Sequence, residues 1–359
     1  MPNTEQLPDR VHVIAHAVPP RNDIARLGFA SVAEYLAFIR RHTAQPLRIT
    51  CAPRFFEVEE DEWHSGRRDD RARVRDLQGA INDPCTLAIV ATNGGAYFSR
   101  ILPQVDFTPL AHRRQPLWVL GFSEMTTLVN LVARYRCGRG LYYLCPNYVG
   151  WKVRPLTAAR AAFAEFWQLL PDLLAGRTPA DARHLSFGPI RGELVAGRVA
   201  SGRIRLIGGC LAVLAAVVSG RIGARLRPRG HWLFLEDIQE VPYRIDRHLA
   251  ALKIAGWFDR IAGVLVGDFH AQEADTQGAV IDLLSFHLPR DRRIPIVTTR
   301  CFGHVWPMVP VPVNRPLPLT LTGSAVTIGL DAARRRSSGG STPRAGKRRG
   351  RDSNPRCSD

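Results

Sequence analysis

Lysine is nearly absent from this 359-residue chain: Lys152, Lys253 and Lys347 stand against 46 arginines. Of the formal charge of +17, the last 29 residues carry +6, which leaves +11 for the body. The arginines are spread along the sequence without the clustering and interleaved aromatics of a nucleic-acid-binding face, so nucleic acid is expected only as a non-specific partner of the basic C-terminal tail. Long apolar runs are missing too. The least polar stretch, residues 206–218, is shorter than the roughly 20 residues of a membrane-spanning helix and is closely flanked by Arg205 and Arg221. No membrane partner is expected. The first 20 residues lack a basic start and an unbroken apolar segment, which argues against a signal peptide and predicts a cytoplasmic protein. No cysteine pair has CxxC spacing, and Cys51, Cys85, Cys137, Cys145, Cys210, Cys301 and Cys357 make an odd total. Neither a zinc site nor a disulfide framework follows, and the thiols read as small buried side chains.

What is present is enough apolar sequence, 45%, for two cores. Residues 11–18 alternate and then run apolar as a first strand, and residues 31–41 place Val32, Tyr35, Leu36 and Ile39 on one helical face behind a Ser31 cap. A short strand is expected at 46–51, a highly charged helix at 66–80, a turn at 82–84 and a buried strand at 86–91. This alternation predicts a parallel sheet flanked by helices. A glycine turn at 92–95 opens a short helix ending near Leu102, residues 117–122 form another buried strand, and a helix runs over 124–136. The chain divides into an N-terminal α/β domain at 10–150, a bridging helix and linker at 151–185, and a smaller mixed α/β domain at 186–330. Within the last, strands are expected at 190–200, 231–236, 261–268 and 294–298, with helices at 209–219 and 243–257. The basic tail, 332–359, has no large apolar residue and reads as disordered.

Chemistry concentrates at strand ends. Ser123 lies between a buried strand and a helix, at the carboxyl edge of a parallel sheet, where a hydroxyl meets the positive end of the helix. That is the setting of a nucleophile elbow, although GxSxG would need glycine at Met125, and a plain helix cap explains the same serine. Gly94 and Gly95, in a βα turn on the same edge, would let a backbone amide approach a ligand, or simply make a tight turn. Glu236 and Asp237 end an apolar strand, where carboxylates are costly unless paired or used. Asp246 and Arg247 read as a structural pair. His304 follows a strand and Gly303 in a loop free to face a cleft. Ser123, Glu236 and His304 thus supply nucleophile, acid and base in chain order.

Six ordered segments carry a resemblance: HSGRRDDRARVRDLQGAINDP (64–84), TNGGAYFSRILPQVDF (92–107), GFSEMTTL (121–128), LIGGCLAVL (206–214), LFLEDIQEVPYRIDRHL (233–249) and GHVWPMVPVPVN (303–314). Together they resemble the LD-carboxypeptidase family of serine peptidases, which includes muramoyltetrapeptide carboxypeptidases and microcin C immunity peptidases. The resemblance implies a flavodoxin-like, amidotransferase-like N-terminal domain, a smaller C-terminal domain, a cleft between them and a homodimer. It implies Ser123 as nucleophile, His304 as base, Glu236 as its orienting acid, and backbone amides around Gly94, Gly95 and Glu124 as substrate and oxyanion contacts, without metal or cofactor. The implied partner is a peptide substrate: a murein tetrapeptide losing its terminal D-alanine, or a peptide-nucleotide antibiotic. A catalytically silent peptide binder is a third reading. Three positions depart from the family pattern: Glu124 for aspartate, Asn314 for glycine, and Cys145-Pro146-Asn147 where Gly-Pro is common. The arginine surplus would suit an acidic substrate group or be compositional.

Overall fold

The computed structural model describes residues 8–58, 67–177, 179, 182–271 and 274–330, without the side chains of residues 67 and 68. The expected tail disorder, Cys357 and the start of the 64–84 segment lie outside the described residues. Strands β1 (Arg10–Ile14), β2 (Arg48–Cys51), β3 (Thr86–Ala91), β4 (Leu117–Gly121) and β5 (Gly138–Tyr142) pair in parallel in the order β2-β1-β3-β4-β5. Apolar runs such as LAIVA in β3 suit strands covered on both faces. The helix Val32–His42 buries Tyr35, Leu36 and Ile39, and Ser31 Oγ caps it by accepting from Glu34 N at 3.1 Å.

The charged helix Arg67–Asn82 explains its own composition. Leu77, Ala80 and Ile81 anchor one end, while Arg73, fully buried, donates to the carbonyls of His16 at 2.6 Å and Tyr97 at 3.0 Å. A buried guanidinium is tolerated because backbone oxygens and Asp70 receive its protons. Its effect is to pin the loop that carries the glycine turn.

The second half contains β6 (Ile190–Ala196), β7 (Gly202–Cys210), β8 (Trp232–Ile238), β9 (Gly263–Ala271), β10 (Ala274–Asp275), β11 (Ile296–Thr299), β12 (Val311–Val313), β13 (Pro316–Thr322) and β14 (Ala325–Ile328). Seven of them close a ring, β7-β8-β9-β11-β6-β14-β13 and back to β7, parallel from β7 to β11 and antiparallel elsewhere. The sequence reading foresaw mixed α/β structure but no barrel. Closure joins strands distant in sequence, and strands such as GRIRLIGGC and PLPLTLT carry arginine or proline that masks their period. For the same reason residues 209 and 210 end β7, and the helix expected at 209–219 shrinks to Leu211–Val217. Short β12 pairs antiparallel with β5 and parallel with β7, so one continuous sheet runs through both halves.

Among the described residues no helix is long and apolar enough to cross a membrane. The six described cysteines are free. Cys137, Cys145 and Cys210 are buried as expected, whereas Cys51, Cys85 and Cys301 are only partly so.

Candidate active site

Ser123 follows β4 at once and holds φ of +57°, a left-handed conformation unusual for a non-glycine residue. The strain turns the chain from strand into a single 3-10 turn, Ser123–Met125, and the α-helix expected from residue 124 begins only at Thr126 and ends at Val132. The serine side chain takes no capping role, for no backbone N–H of the turn is hydrogen-bonded to it. Its Oγ instead lies 3.1 Å from His304 Nε2. Such a strained, strand-to-helix serine is the local geometry of a nucleophile elbow.

Glu236 lies within β8, and His304 stands in the loop between β11 and β12. The two meet at 2.7 Å, His304 Nδ1 against Glu236 Oε2. With Nδ1–H donating to the carboxylate, Nε2 is left to accept the Ser123 hydroxyl proton. The imidazole is braced as well: Tyr148 Oη donates to the His304 carbonyl at 2.6 Å, and the Phe122 ring packs 4.9 Å from the imidazole centroid. Burial lowers the pKa of His304, but the charge and hydrogen bond of Glu236, aided by Asp237, outweigh it and leave a net upward shift.

One residue of this cluster escapes sequence reasoning. Tyr142, the fully buried last residue of β5, donates its hydroxyl proton to Glu236 Oε1 at 2.5 Å and accepts the Ser123 backbone N–H at 3.1 Å. Burial, followed by the charge of Glu236, holds its phenol well above the ordinary range, so it stays a neutral donor. The amide of Ser123 is thereby engaged. Nothing in the local sequence distinguishes Tyr142 from Tyr143 beside it, because the role depends on β5 lying between β4 and β12.

The glycine turn comes up against the serine. A Cβ on Gly94 would sit 3.1 Å from Ser123 Cβ, 3.3 Å from its Oγ and 3.7 Å from Glu124 N. Gly95 has φ of +115°, and a Cβ there would strike Val18 Cγ2 at 2.4 Å. Gly95 is therefore required by conformation and close approach, whereas a Cβ on Gly94 would crowd Ser123 Oγ. The Glu124 carboxylate accepts from Phe98 N and Ser99 N at 2.9 Å each. Burial raises its pKa against the pull of those amides. It fastens the turn's far end to the elbow.

Asp237, next to the acid, accepts from Ala212 N at 2.8 Å and Ile238 N at 2.9 Å, and burial followed by the Glu236 charge pushes it up to about 7. The expected pairing of Asp246 with Arg247 is not formed. Asp246 instead meets His287 Nε2 at 2.8 Å, and Arg247 lies over the Tyr243 ring, because one helical step points neighbouring side chains apart. Ser123 and His304 open onto a cavity of about 360 Å³ walled by Val18, Gly95, Phe122, Cys145, Tyr148 and Trp151, among others. Burial pushes the Cys145 thiol up to about 12, so it is no rival nucleophile. Among the described residues no arginine lines this cavity, and the arginine surplus does not reach it.

Two family descriptions match the chain: LD-carboxypeptidase N-terminal domain over residues 11–142, and LD-carboxypeptidase C-terminal domain over 203–319. A Streptomyces coelicolor protein assigned as a carboxypeptidase is 32% identical over 264 residues, 73% of this chain and 78% of that one. The chain belongs to the LD-carboxypeptidase family. Within it, the Pseudomonas aeruginosa murein tetrapeptide carboxypeptidase is 28% identical over 230 residues, 60% of this chain and 70% of its own. Among solved structures, the fold of this LD-carboxypeptidase family member is shared by the microcin C7 self-immunity protein MccF bound to aspartyl sulfamoyl adenosine, with a TM-score of 0.61 and 15% identity over 90% of this chain and 96% of that one. A muramoyltetrapeptide carboxypeptidase from Oxalobacter formigenes gives a TM-score of 0.59 and 20% identity, covering 89% of this chain and 98% of its own.

Proposed function

We propose that this protein is a serine peptidase that hydrolyses an amide between an L-centre and a D-residue, releasing the terminal D-alanine of a murein tetrapeptide. The observation that carries the proposal is the hydrogen-bonded chain Ser123 Oγ, His304 Nε2, His304 Nδ1 and Glu236 Oε2, with steps of 3.1 and 2.7 Å. Ser123 Oγ attacks the scissile carbonyl carbon as its proton passes to His304 Nε2, and Glu236 stabilises the imidazolium formed. The proton is then given to the departing D-alanine nitrogen as the C–N bond breaks, leaving an acyl-serine. Water, deprotonated by the same imidazole, cleaves that ester. Backbone N–H groups around Gly94, Gly95 and Glu124 receive the oxyanion, each such donor being worth about 3 kcal/mol. Lys152, whose charge acts on His304, offers the cation that a terminal carboxylate needs.

In this reading residues 10–150 form a flavodoxin-like domain, as the strand order β2-β1-β3-β4-β5 supports. Residues 186–330 bring Glu236 and His304, and 151–185 connect the two. A catalytically silent role fits poorly with an intact acid–base–nucleophile chain.

The test is release of D-alanine from a murein tetrapeptide by purified protein beside Ser123→Ala. Wild type should release it, and Ser123→Ala should fall by at least about a thousandfold while melting at the same temperature. Absence of release from wild type, with hydrolysis of an aminoacyl-sulfamoyl nucleotide, would replace the murein substrate by the antibiotic class on the same triad.

A further inference from the structure

Strands β7, β8, β9 and β11 run parallel, so the loops that enter them meet at one rim of the ring, and β6, antiparallel to β11, ends at the same rim. Glu236, late in β8, and His304, beyond the end of β11, belong to the opposite rim. The entering loops are residues 197–201, 227–231, 255–262 and 288–295, and they hold seven arginines against two aspartates, Asp259 and Asp291. Arg227, Arg229 and Arg260 line a cavity of about 190 Å³ together with Asp259. Arg198, Arg290, Arg292 and Arg293 line a second, of about 370 Å³, with Leu288, Ile294 and Ile296. Arg292 ties the two loops together, donating to the carbonyls of Asp259 at 2.5 Å and Ile261 at 2.8 Å. Along the sequence these arginines are dispersed, and closure of the ring gathers them.

A rim of one sign favours an anionic partner. The apolar surface beside it decides which kind. Ile254, last residue of the helix Pro242–Ile254, is 88% exposed, and Phe286, near the end of the helix Gln277–His287, is 62% exposed. Each helix leads into one of the rim loops. Lys253 Nζ lies 5.7 Å from the Phe286 ring centroid, so the two helix ends stand side by side. Nucleic-acid phosphates would satisfy the arginines but give an isoleucine side chain nothing to bury against. An anionic bilayer offers phosphates at its surface and hydrocarbon just beneath them. We propose that this rim docks on an anionic lipid surface, with its arginines on headgroup phosphates and Ile254 and Phe286 inserted at the acyl boundary. The rim that carries Glu236 and His304 then faces away from the lipid. Peripheral docking of this kind needs no membrane-crossing helix, and it does not rest on the peptidase reading.

The test is co-sedimentation of the full chain with vesicles of phosphatidylcholine alone or of phosphatidylcholine and phosphatidylglycerol in equal parts. Wild type should sediment with the anionic vesicles only, and less so as salt is raised. Arg229→Gln, Arg260→Gln, Arg290→Gln and Arg293→Gln together change exposed side chains and leave the basic C-terminal tail intact. The partition coefficient should fall by about fivefold for each charge removed. Ile254→Ser with Phe286→Ser keeps every charge and should lower it by about tenfold, while leaving binding to duplex DNA as in wild type. Both variants should melt with wild type, which separates lost docking from lost folding. Wild type that stays in the supernatant, or sedimentation undiminished by the four arginine changes, overturns the docking rim, the second result assigning the binding to the tail. Loss on the arginine changes but none on Ile254→Ser with Phe286→Ser overturns the lipid and leaves a site for polyanions such as nucleic acid.

Discussion

At the scale of single residues, Tyr142 ties the Ser123 backbone to Glu236, the acid of the proposed triad, through one hydroxyl, 3.1 Å from Ser123 N and 2.5 Å from Glu236 Oε1. Removing that hydroxyl has a directional consequence. Glu236 loses a donor that spreads its charge, so its carboxylate acts more strongly on the imidazolium and raises the pKa of His304 further. The base works only when neutral, so activity is lost as pH falls through the pKa of His304. That pKa already lies above the ordinary histidine value, and the acid limb of kcat/KM in wild type should sit correspondingly high. Tyr142→Phe should move this limb to higher pH and lower the plateau by about tenfold, since the freed Ser123 amide leaves the elbow less firmly held. A pH–rate profile checks it. An unmoved limb would mean that Tyr142 only fills space. The same scale shows what a sequence can tell: Ser123, Glu236 and His304 announce themselves as polar residues at the ends of apolar runs. Tyr142 does not, because an aromatic at a strand end is ordinary core until its neighbours are known.

At the scale of elements, the glycine turn between β3 and the 3-10 helix Ser99–Gln104 shows how position divides the work of two like residues. Gly94 approaches Ser123 Oγ, whereas Gly95 is held at φ of +115° against Val18. Gly94→Ala should therefore spare the fold, with a melting temperature within about 2 °C of wild type, and reduce kcat/KM by more than about tenfold by crowding the reacting carbonyl. Gly95→Ala meets both a forbidden φ and a 2.4 Å contact, and should cost about 2–3 kcal/mol of stability as well. Thermal melts beside kinetics separate the two, and equal stability of both variants would reject the division. In the parallel half β1 to β4 were legible, β3 and β4 because burial on both faces writes continuous apolar runs, whereas β5 was not, its GRGLY sequence being broken by glycines and an arginine. Of the ring strands, β6, β8, β9 and β11 were legible, but β7, β13 and β14 were not: β7 and β13 carry arginine or proline, β14 is only four residues long, and ring partners lie up to 138 residues apart, as in the pair Ile190 and Ile328 of β6 and β14.

At the scale of the whole molecule, the proposed triad exists only while the two halves are held together, for Ser123 follows β4 whereas Glu236 and His304 belong to the ring half. Three polar side chains clamp that junction. Thr126 Oγ1 donates to the Ser123 carbonyl at 2.6 Å and accepts from Cys210 N at 3.0 Å. The Asn130 amide pairs with both backbone groups of Gly208, at 2.6 and 3.0 Å. Asn314, at φ of +55°, donates to the Ala133 carbonyl at 2.8 Å and receives His231 Nε2 at 2.8 Å, while its own N–H reaches Leu206 O at 2.7 Å. Asparagine is therefore no disturbance where the family resemblance called for glycine. It tolerates the left-handed backbone that glycine would adopt and adds two side-chain hydrogen bonds, one across the halves to Ala133 O and one within the ring half to His231. Asn314→Gly preserves the backbone and deletes those two bonds, which should cost about 1–2 kcal/mol. The urea midpoint should fall at an unchanged slope if the halves still unfold as one unit. Because the junction also sets the distance from Ser123 to His304, kcat should decline with the midpoint, and Asn314→Asp, which keeps the His231 contact within the ring half but loses the donor to the Ala133 carbonyl, should recover part of the midpoint without restoring the link between the halves. A midpoint equal to wild type would show that β12 and the Thr126 and Asn130 contacts hold the halves in register without Asn314.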